Sequence, residues 1–369
     1  MIIPCRPSAS HRWTECLRSA RFALELPEQE PNDPAREGTC AAWVAEMVLT
    51  GQAEKTDDLI DASHENGWLV DVQMVHDVQK YIDHLRAHGG SIEAERKVYL
   101  NPMIEGTPDA YAVVNNTTLI ADDLKYGYKI VEPYRNTQVA IYAAALLKML
   151  NHHGVIIDKI IIGIYQPRAS HPEGIYRTWE LTPNALMEFV AWIEGRAHAA
   201  QDVSCKATPG VHCMHCQAAH KCDALDRTNY RNYDVISGDS MVDMPPEMIA
   251  HKLDFYKKAK AMMDAAASAL ETEAKSRMKR SEHIPGYGFE DQYGRKVFTA
   301  SADVIKALTG VDPYASPKLA TPAEIVRRSK NKKQAEKFIA RHTSRPRIPP
   351  KLVKRAPDYY TKLFKKGQT

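Results

Sequence analysis

Asp109 closes the run Gly106-Thr107-Pro108-Asp109, and it is followed by Asp123-Leu124-Lys125 and then by Gln138 and Tyr142, four residues apart. Carboxylates hold a hard divalent cation through oxygen, and such a cation polarises a phosphate and acidifies a bound water. A lysine two residues beyond a carboxylate can orient the attacking water and stabilise the negative charge that develops. In this order the parts are those of a metal-dependent phosphodiesterase. A second group of ligating side chains comes later in the chain: Cys213-x-x-Cys216 and Cys222, with Cys16 far upstream.

The elements that must position the first group can be read locally. Residues Ala110 to Val114 and Thr117 to Ala121 are apolar and β-branched, and Asn115-Asn116 between them is a hairpin signal. Side chains alternate along a strand, so Asp123 and Lys125 share a face. Register decides whether Asp109 joins them. A strict two-residue loop at Asn115-Asn116 sets Asp109 opposite Asp122, whereas a three-residue loop or a bulge sets it opposite Asp123. Asp123 is the expected ligand because it shares its face with Lys125. Asp122 is the alternative ligand or a supporting group. The Ala- and Leu-rich segment from Asn136 to Leu150 reads as a buried helix, on which Gln138 and Tyr142 lie on one face. They point to the metal centre or a DNA backbone; the plainer reading is a core helix with two satisfied polar groups.

Taken together, Gly106-Thr107-Pro108-Asp109, Asp123-Leu124-Lys125-Tyr126-Gly127 and Gln138-x-x-x-Tyr142 resemble the PD-(D/E)xK nuclease superfamily in its RecB-like branch. More narrowly, they resemble a phage and prophage family of RecB-like nucleases related to the CRISPR-associated four-cysteine exonucleases. The likeness takes in Ser8-Ala9-Ser10-His11-Arg12-Trp13 before Cys16, Glu37-Gly38-Thr39, Gln166-Pro167-Arg168 and Pro209-Gly210, and continues faintly to Pro350. It implies an α/β restriction-endonuclease-like core, a mixed central sheet flanked by helices, and exonuclease action on single-stranded DNA or duplex ends. It further implies Mg2+ or Mn2+ held by Asp109, Asp123 and the backbone carbonyl of Leu124, with Lys125 catalytic and Gln138 and Tyr142 in support. Relatives often carry a metal-binding histidine four residues after the glycine of the Gly-Thr pair, where this chain has Ala42. Glu95 is a candidate third carboxylate; as a residue at a strand edge its ordinary expectation is solvation.

Seven cysteines with no signal-peptide pattern argue against a disulfide framework and for a reducing cytosol. Cys213, Cys216 and Cys222 supply three thiolates in a short loop, which suits an iron–sulfur cluster or zinc, and His212, His215 and His220 keep zinc open. The resemblance favours a [4Fe–4S] cluster with Cys16 as its fourth ligand, against Cys205 as the local competitor. Cys5 and Cys40 read as small core hydrophobes.

The length of 369 residues allows two units: a nuclease domain over 1–227, a polar linker over 228–246, and a mainly helical accessory region over 247–369. The net charge of +3 conceals a polarity. From Ser316 to Thr369 there are 16 Lys and Arg against 3 Asp and Glu, so this segment carries +13 and the rest −10. Such a tail fits a phosphate backbone, or recruitment of a recombinase or strand-annealing protein, or simple solubility. From Pro246 to about Arg280 the spacing predicts a long helix whose stripe, Ile249, Leu253, Tyr256, Met263, Ala267 and Leu270, packs on the parent domain or forms a dimer seam. Gly286 to Phe298 reads as a hairpin. With no run of about 18 apolar residues, neither a membrane span nor secretion is expected, and the resemblance places the chain in the cytoplasm of a bacterial host.

Overall fold

The computed structural model describes residues 2–26, 31–237, 245–293, 297–298, 302–311, 321–329, 331–344 and 347–354. It divides into two compact units, Met1–Leu270 and Glu271–Thr369. The first is α/β. Its helices are α1 (Ser10–Trp13), α2 (Arg18–Glu25), α3 (Asp33–Leu49) and α4 (Val72–Ala87). There follow strands β1 (Ser91–Ala94), β2 (Val98–Asn101), β3 (Ile104–Gly106), β4 (Ala110–Val114) and β5 (Thr118–Leu124), and then α5 (Thr137–His152). The unit continues through β6 (Lys159–Tyr165), β7 (Tyr176–Leu181), α6 (Pro183–Ala199) and α7 (Asp223–Ser237), and the unit boundary falls within α8 (Pro246–Lys279).

Five strands form a mixed sheet in the order β1-β4-β5-β6-β7, with β5 and β6 parallel and the other pairs antiparallel. The alternation along β5 sorts the two cores. Leu119 and Ala121 face a cluster built with α5 and α6 through Ile141, Leu146 and Val190. Leu124, on the other parity, joins Val44, Met74, Val78 and Ile82 of α3 and α4. Two helix starts carry side-chain caps: Asn136 accepts from Gln138 N and Val139 N, and Asp71 accepts from Met74 N.

Three sequence expectations need correction. Residues 228–237, read as linker, are helical within α7, because Leu225 and Asn232 find buried positions. The expected apolar stripe of α8 is not its buried face: Ile249, Leu253 and Leu270 are 47%, 52% and 57% exposed, whereas Ala259 and Ala265 are buried. Small side chains let that helix approach its neighbours closely, so size and not hydrophobicity selects the inward face. In the second unit, β8 (Tyr287–Tyr293) pairs with β11 (Arg347–Lys354), and β9 (Val297–Phe298) with β10 (Thr343–Ser344), so Gly286 to Phe298 is not a self-paired hairpin. Between them lie α9 (Ala302–Thr309), α10 (Pro322–Arg328) and α11 (Lys332–His342), which share a small core of Ile305, Ile325, Phe338 and Ile339. Much of the basic segment, including residues 316–320, Lys330, Arg345 and 355–369, lies outside the described residues.

Candidate active site and cysteine centre

The β4–β5 register pairs Val114 with Thr118 and Ala110 with Asp122, the register of a three-residue loop. Asn115 and Asn116 take positive φ values of 51° and 60°, a conformation asparagine tolerates better than most residues. One step beyond the last pair, Asp109 comes opposite Asp123, on the α5 side of the sheet. Its Oδ2 accepts a hydrogen bond of 2.7 Å from Leu124 N.

Lys125 Nζ lies 2.7 Å from Asp123 Oδ2 and donates to Gln138 Oε1 at 3.2 Å, while Gln138 Nε2 donates to Asp123 Oδ1 at 3.3 Å. Gln138 thus holds both the carboxylate and the ammonium. Tyr142, one turn along α5, packs its ring on Gly106, where a Cβ would come within 2.7 Å of Tyr142 Cε1. That close approach gives the glycine of the Gly-Thr-Pro-Asp run a physical reason. Asp109, Asp123, Lys125, Gln138 and Tyr142 are therefore gathered on one face. Of Leu124, the group engaged with this cluster is the backbone N–H.

The electrostatics favour an added cation. Burial, then the charge of Asp123, raise the Asp109 carboxyl well above the usual range, with Lys125 opposing. Burial works against the Lys125 ammonium, but Asp123 and Asp109 outweigh it and hold its pKa above normal. The ion pair leaves Asp123 Oδ2, which is buried, outside hydrogen-bond geometry. An oxygen of this kind beside a second, half-buried carboxylate fits a divalent ion.

Glu95 departs from the expectation of a solvated edge. It is half-buried with φ of 50°, its N–H reaches Asp109 O at 3.4 Å, and burial followed by the charge of Glu46 lifts its carboxyl to about 7. Glu46 lies one helical turn beyond Ala42 on α3. No local pattern marks Glu46, because its approach to Glu95 depends on packing between distant elements. Asp122 points the other way, toward α4.

Lys125 and Gln138 also line a cleft of ≈ 710 Å³, whose walls carry His11, Arg135, Tyr134 and Trp192. Tyr134 and Trp192 are well exposed, and Arg135 stands over the Phe189 ring at 5.4 Å. Exposed aromatic faces among cations are the surface on which unpaired bases stack.

Cys16, Cys213, Cys216 and Cys222 line one small cavity together with Thr208, Pro209 and His212, and Cys205 is not in that lining. Thr208 N donates to Cys16 Sγ and Gly210 N to Cys213 Sγ, each at 3.4 Å. Burial raises Cys213 to about 11, and the neighbouring cysteines add to it. Arg12, which donates to His215 O, is electrostatically coupled to Cys16 and Cys216. His212 Nε2 and His220 Nδ1 meet backbone carbonyls, and the His215 ring packs edge-on against His11. Leu225 of α7 and Ala265 of α8 cover the loop. Cys5 and Cys40 are fully buried elsewhere in the two cores.

A family model described as "Protein of unknown function (DUF2800)" matches residues 5–358. The chain belongs to the DUF2800 family. No curated protein matches it. Among solved structures it is similar to a candidate exonuclease from Eubacterium rectale, at 8% identity and a TM-score of 0.35 over 67% of this chain and 92% of that one. It is also similar to the protein SSO0001, at 13% identity and a TM-score of 0.28 over 60% and 86% of the respective chains. Among the described residues of this DUF2800 protein, no helix is long and apolar enough to cross a membrane.

Proposed function

We propose that this DUF2800 protein is a metal-dependent deoxyribonuclease of the RecB-like PD-(D/E)xK kind, acting on DNA ends as an exonuclease in phage or prophage DNA metabolism in the bacterial cytoplasm. The observation that carries the reading is the convergence of Asp109, Asp123 and Lys125 beside the cleft that Lys125 lines, with a buried Asp123 oxygen met by the Lys125 ammonium at 2.7 Å. Asp109 and Asp123 would hold Mg2+ or Mn2+, and Glu95 would serve as third carboxylate where relatives use the histidine missing at Ala42. A bound ion supplies Lewis-acid polarisation of the phosphate and a more acidic water. Lys125 places positive charge where negative charge develops on the phosphate oxygens, and Gln138 fixes the Lys125 and Asp123 side chains so that little reorganisation is needed. Tyr134, Trp192 and Arg135 would hold the strand by stacking and charge.

The four cysteines would hold a [4Fe–4S] cluster. Four thiols around one cavity, two of them accepting backbone N–H bonds, fit such a group. Zinc is served less well, because two of the nearby histidines already engage carbonyls. Bound there, the cluster supplies a cross-link between the Cys16 segment and the Cys213–Cys222 loop.

The test is incubation with linear and circular DNA, single- and double-stranded, with Mg2+ or Mn2+. Loss of linear DNA with survival of circles supports the exonuclease, and cleavage of circles moves the activity to an endonuclease. A gel shift with no cleavage under any metal would select a silent DNA-binding protein, the alternative that Ala42 leaves open.

A further inference from the structure

On the reverse face of β5 from Asp123, a second constellation is assembled. His84, on α4, and His88, just past its C-terminus, are i and i+4, and both turn Nε2 toward Asp122. His88 Nε2 lies 2.9 Å and His84 Nε2 3.8 Å from the same oxygen, Asp122 Oδ2. The other oxygen, Oδ1, accepts from Tyr176 OH at 3.0 Å.

We propose that His84, His88 and Asp122 form a second divalent-cation site, for a first-row transition ion of the zinc class. Three arguments carry it. The ligand atoms lie within 4.8 Å of one another, and the 2.9 and 3.8 Å separations bracket the edge of about 3.3 Å set by tetrahedral bonds near 2.0–2.1 Å. His84 Nε2 is buried with no hydrogen-bond partner, although it points into the group. The space is carved for the carboxylate: Gly163 stands opposite Asp122 in the parallel register, and a Cβ there would come within 1.9 Å of Asp122 Oδ1. Asp122 is 2% exposed, and no lysine or arginine pairs with it among the described residues. A carboxylate so buried needs a compensating cation.

Two imidazoles and one carboxylate select a borderline ion over Mg2+, which prefers an all-oxygen shell. Tyr176 fixes Oδ1 of Asp122, the outer-shell arrangement that orients ligating groups, and the ion would replace the hydrogen bond that His88 Nε2 now makes to Oδ2. The ion would clamp α4 to β5 directly behind the catalytic strand. The site stands independently of the nuclease reading, since it takes metal whether or not DNA is cleaved.

The test uses Co2+ as probe on the full chain, with excess Mg2+ present to fill the Asp109–Asp123 site. The expected result is one equivalent of Co2+ giving visible d–d bands without thiolate charge transfer. These bands should vanish in His84→Ala and in His88→Ala and persist in Asp109→Asn. Thermal melting of each variant shows whether it is folded. Should the histidine variants not fold, X-ray absorption at the zinc edge of the wild-type protein counts imidazole neighbours directly. Unchanged bands in folded histidine variants, cobalt bound through thiolates alone, or a zinc shell with no imidazole would each overturn the proposal.

Discussion

Replacing Lys125 by methionine separates two roles that one ion pair combines. The side chain keeps its length but loses its charge, leaving Asp123, 1% exposed at its side chain, facing Asp109 with no cation. Removing one partner of a buried pair typically costs about 3–5 kcal/mol. The figure is an upper bound here, because Lys125 is 27% exposed and either aspartate can take up a proton. Metal-free protein should therefore melt lower, by an amount corresponding to about 2–4 kcal/mol. The same loss frees Asp123 Oδ2 for metal, so Mn2+ should stabilise the variant more than the wild type, by the linkage between ligand affinity and melting temperature. Turnover should move oppositely and fall by about 10²–10³, the usual effect of deleting one charge-stabilising donor. Calorimetric Mn2+ titration, melting with and without EDTA, and single-turnover cleavage of end-labelled DNA measure the three quantities. A folded variant that binds Mn2+ more weakly than wild type, or cleaves within threefold of it, would refute the assignment of Lys125 as both competitor for the ligand oxygen and transition-state cation.

The other expectations can be stated together. Asp123→Asn should abolish cleavage while DNA binding in a gel shift persists; Asp122→Asn should mainly lower the melting temperature, and the reverse pattern would place the catalytic carboxylate on the α4 face. Cys16→Ser, Cys213→Ser, Cys216→Ser and Cys222→Ser should each remove the iron chromophore of anaerobically purified protein and lower stability, because metal ligation is coupled to folding. Cys205→Ser should keep both, and loss of iron there with retention in Cys16→Ser would exchange the two ligands. Glu95, raised to about 7 from 4.5, binds a proton more tightly folded than unfolded, so metal-free stability should fall as pH rises from about 4.5 through 7. Mg2+ or Glu95→Gln should flatten that slope in melting curves, and an unchanged slope in Glu95→Gln would remove Glu95 as its source.

Much of the candidate site was legible because it is local. Asp109, Asp123 and Lys125 lie within one hairpin, and strand parity with a loop-length argument was enough to rank Asp123 above Asp122. Helix spacing put Gln138 and Tyr142 on one face, but only their place after the carboxylates and the lysine set them apart from an ordinary core helix. What escaped was set by long-range packing: nothing near Glu95 announces that Glu46 approaches it, and a residue at a strand end ordinarily faces water. His84 and His88 did carry a sign, a His-x-x-x-His spacing on a helix. It gains meaning only when Asp122, 34 residues later, is seen to face them. The α8 stripe failed for a different reason, since alanines rather than the larger side chains form the buried seam.

The segment around Ile3 is fastened by residues made much later. Ile3 N bonds Gln201 Oε1 and Ile3 O accepts from Gln201 Nε2, across 198 positions of chain, and Arg196 reaches Thr14 O. At ribosomal speeds of about 5–20 residues per second, that separation is a wait of roughly 10–40 s. During that time the stretch holding Trp13 and Cys16 has no α6 to dock against, and a wall of the cleft, His11 and Thr14, stays unplaced. An emerging chain would thus be unable to complete its cleft before nearly the whole first unit had left the ribosome. Through that interval Cys16 would wait as a lone thiol, because Cys213, Cys216 and Cys222 are made later still.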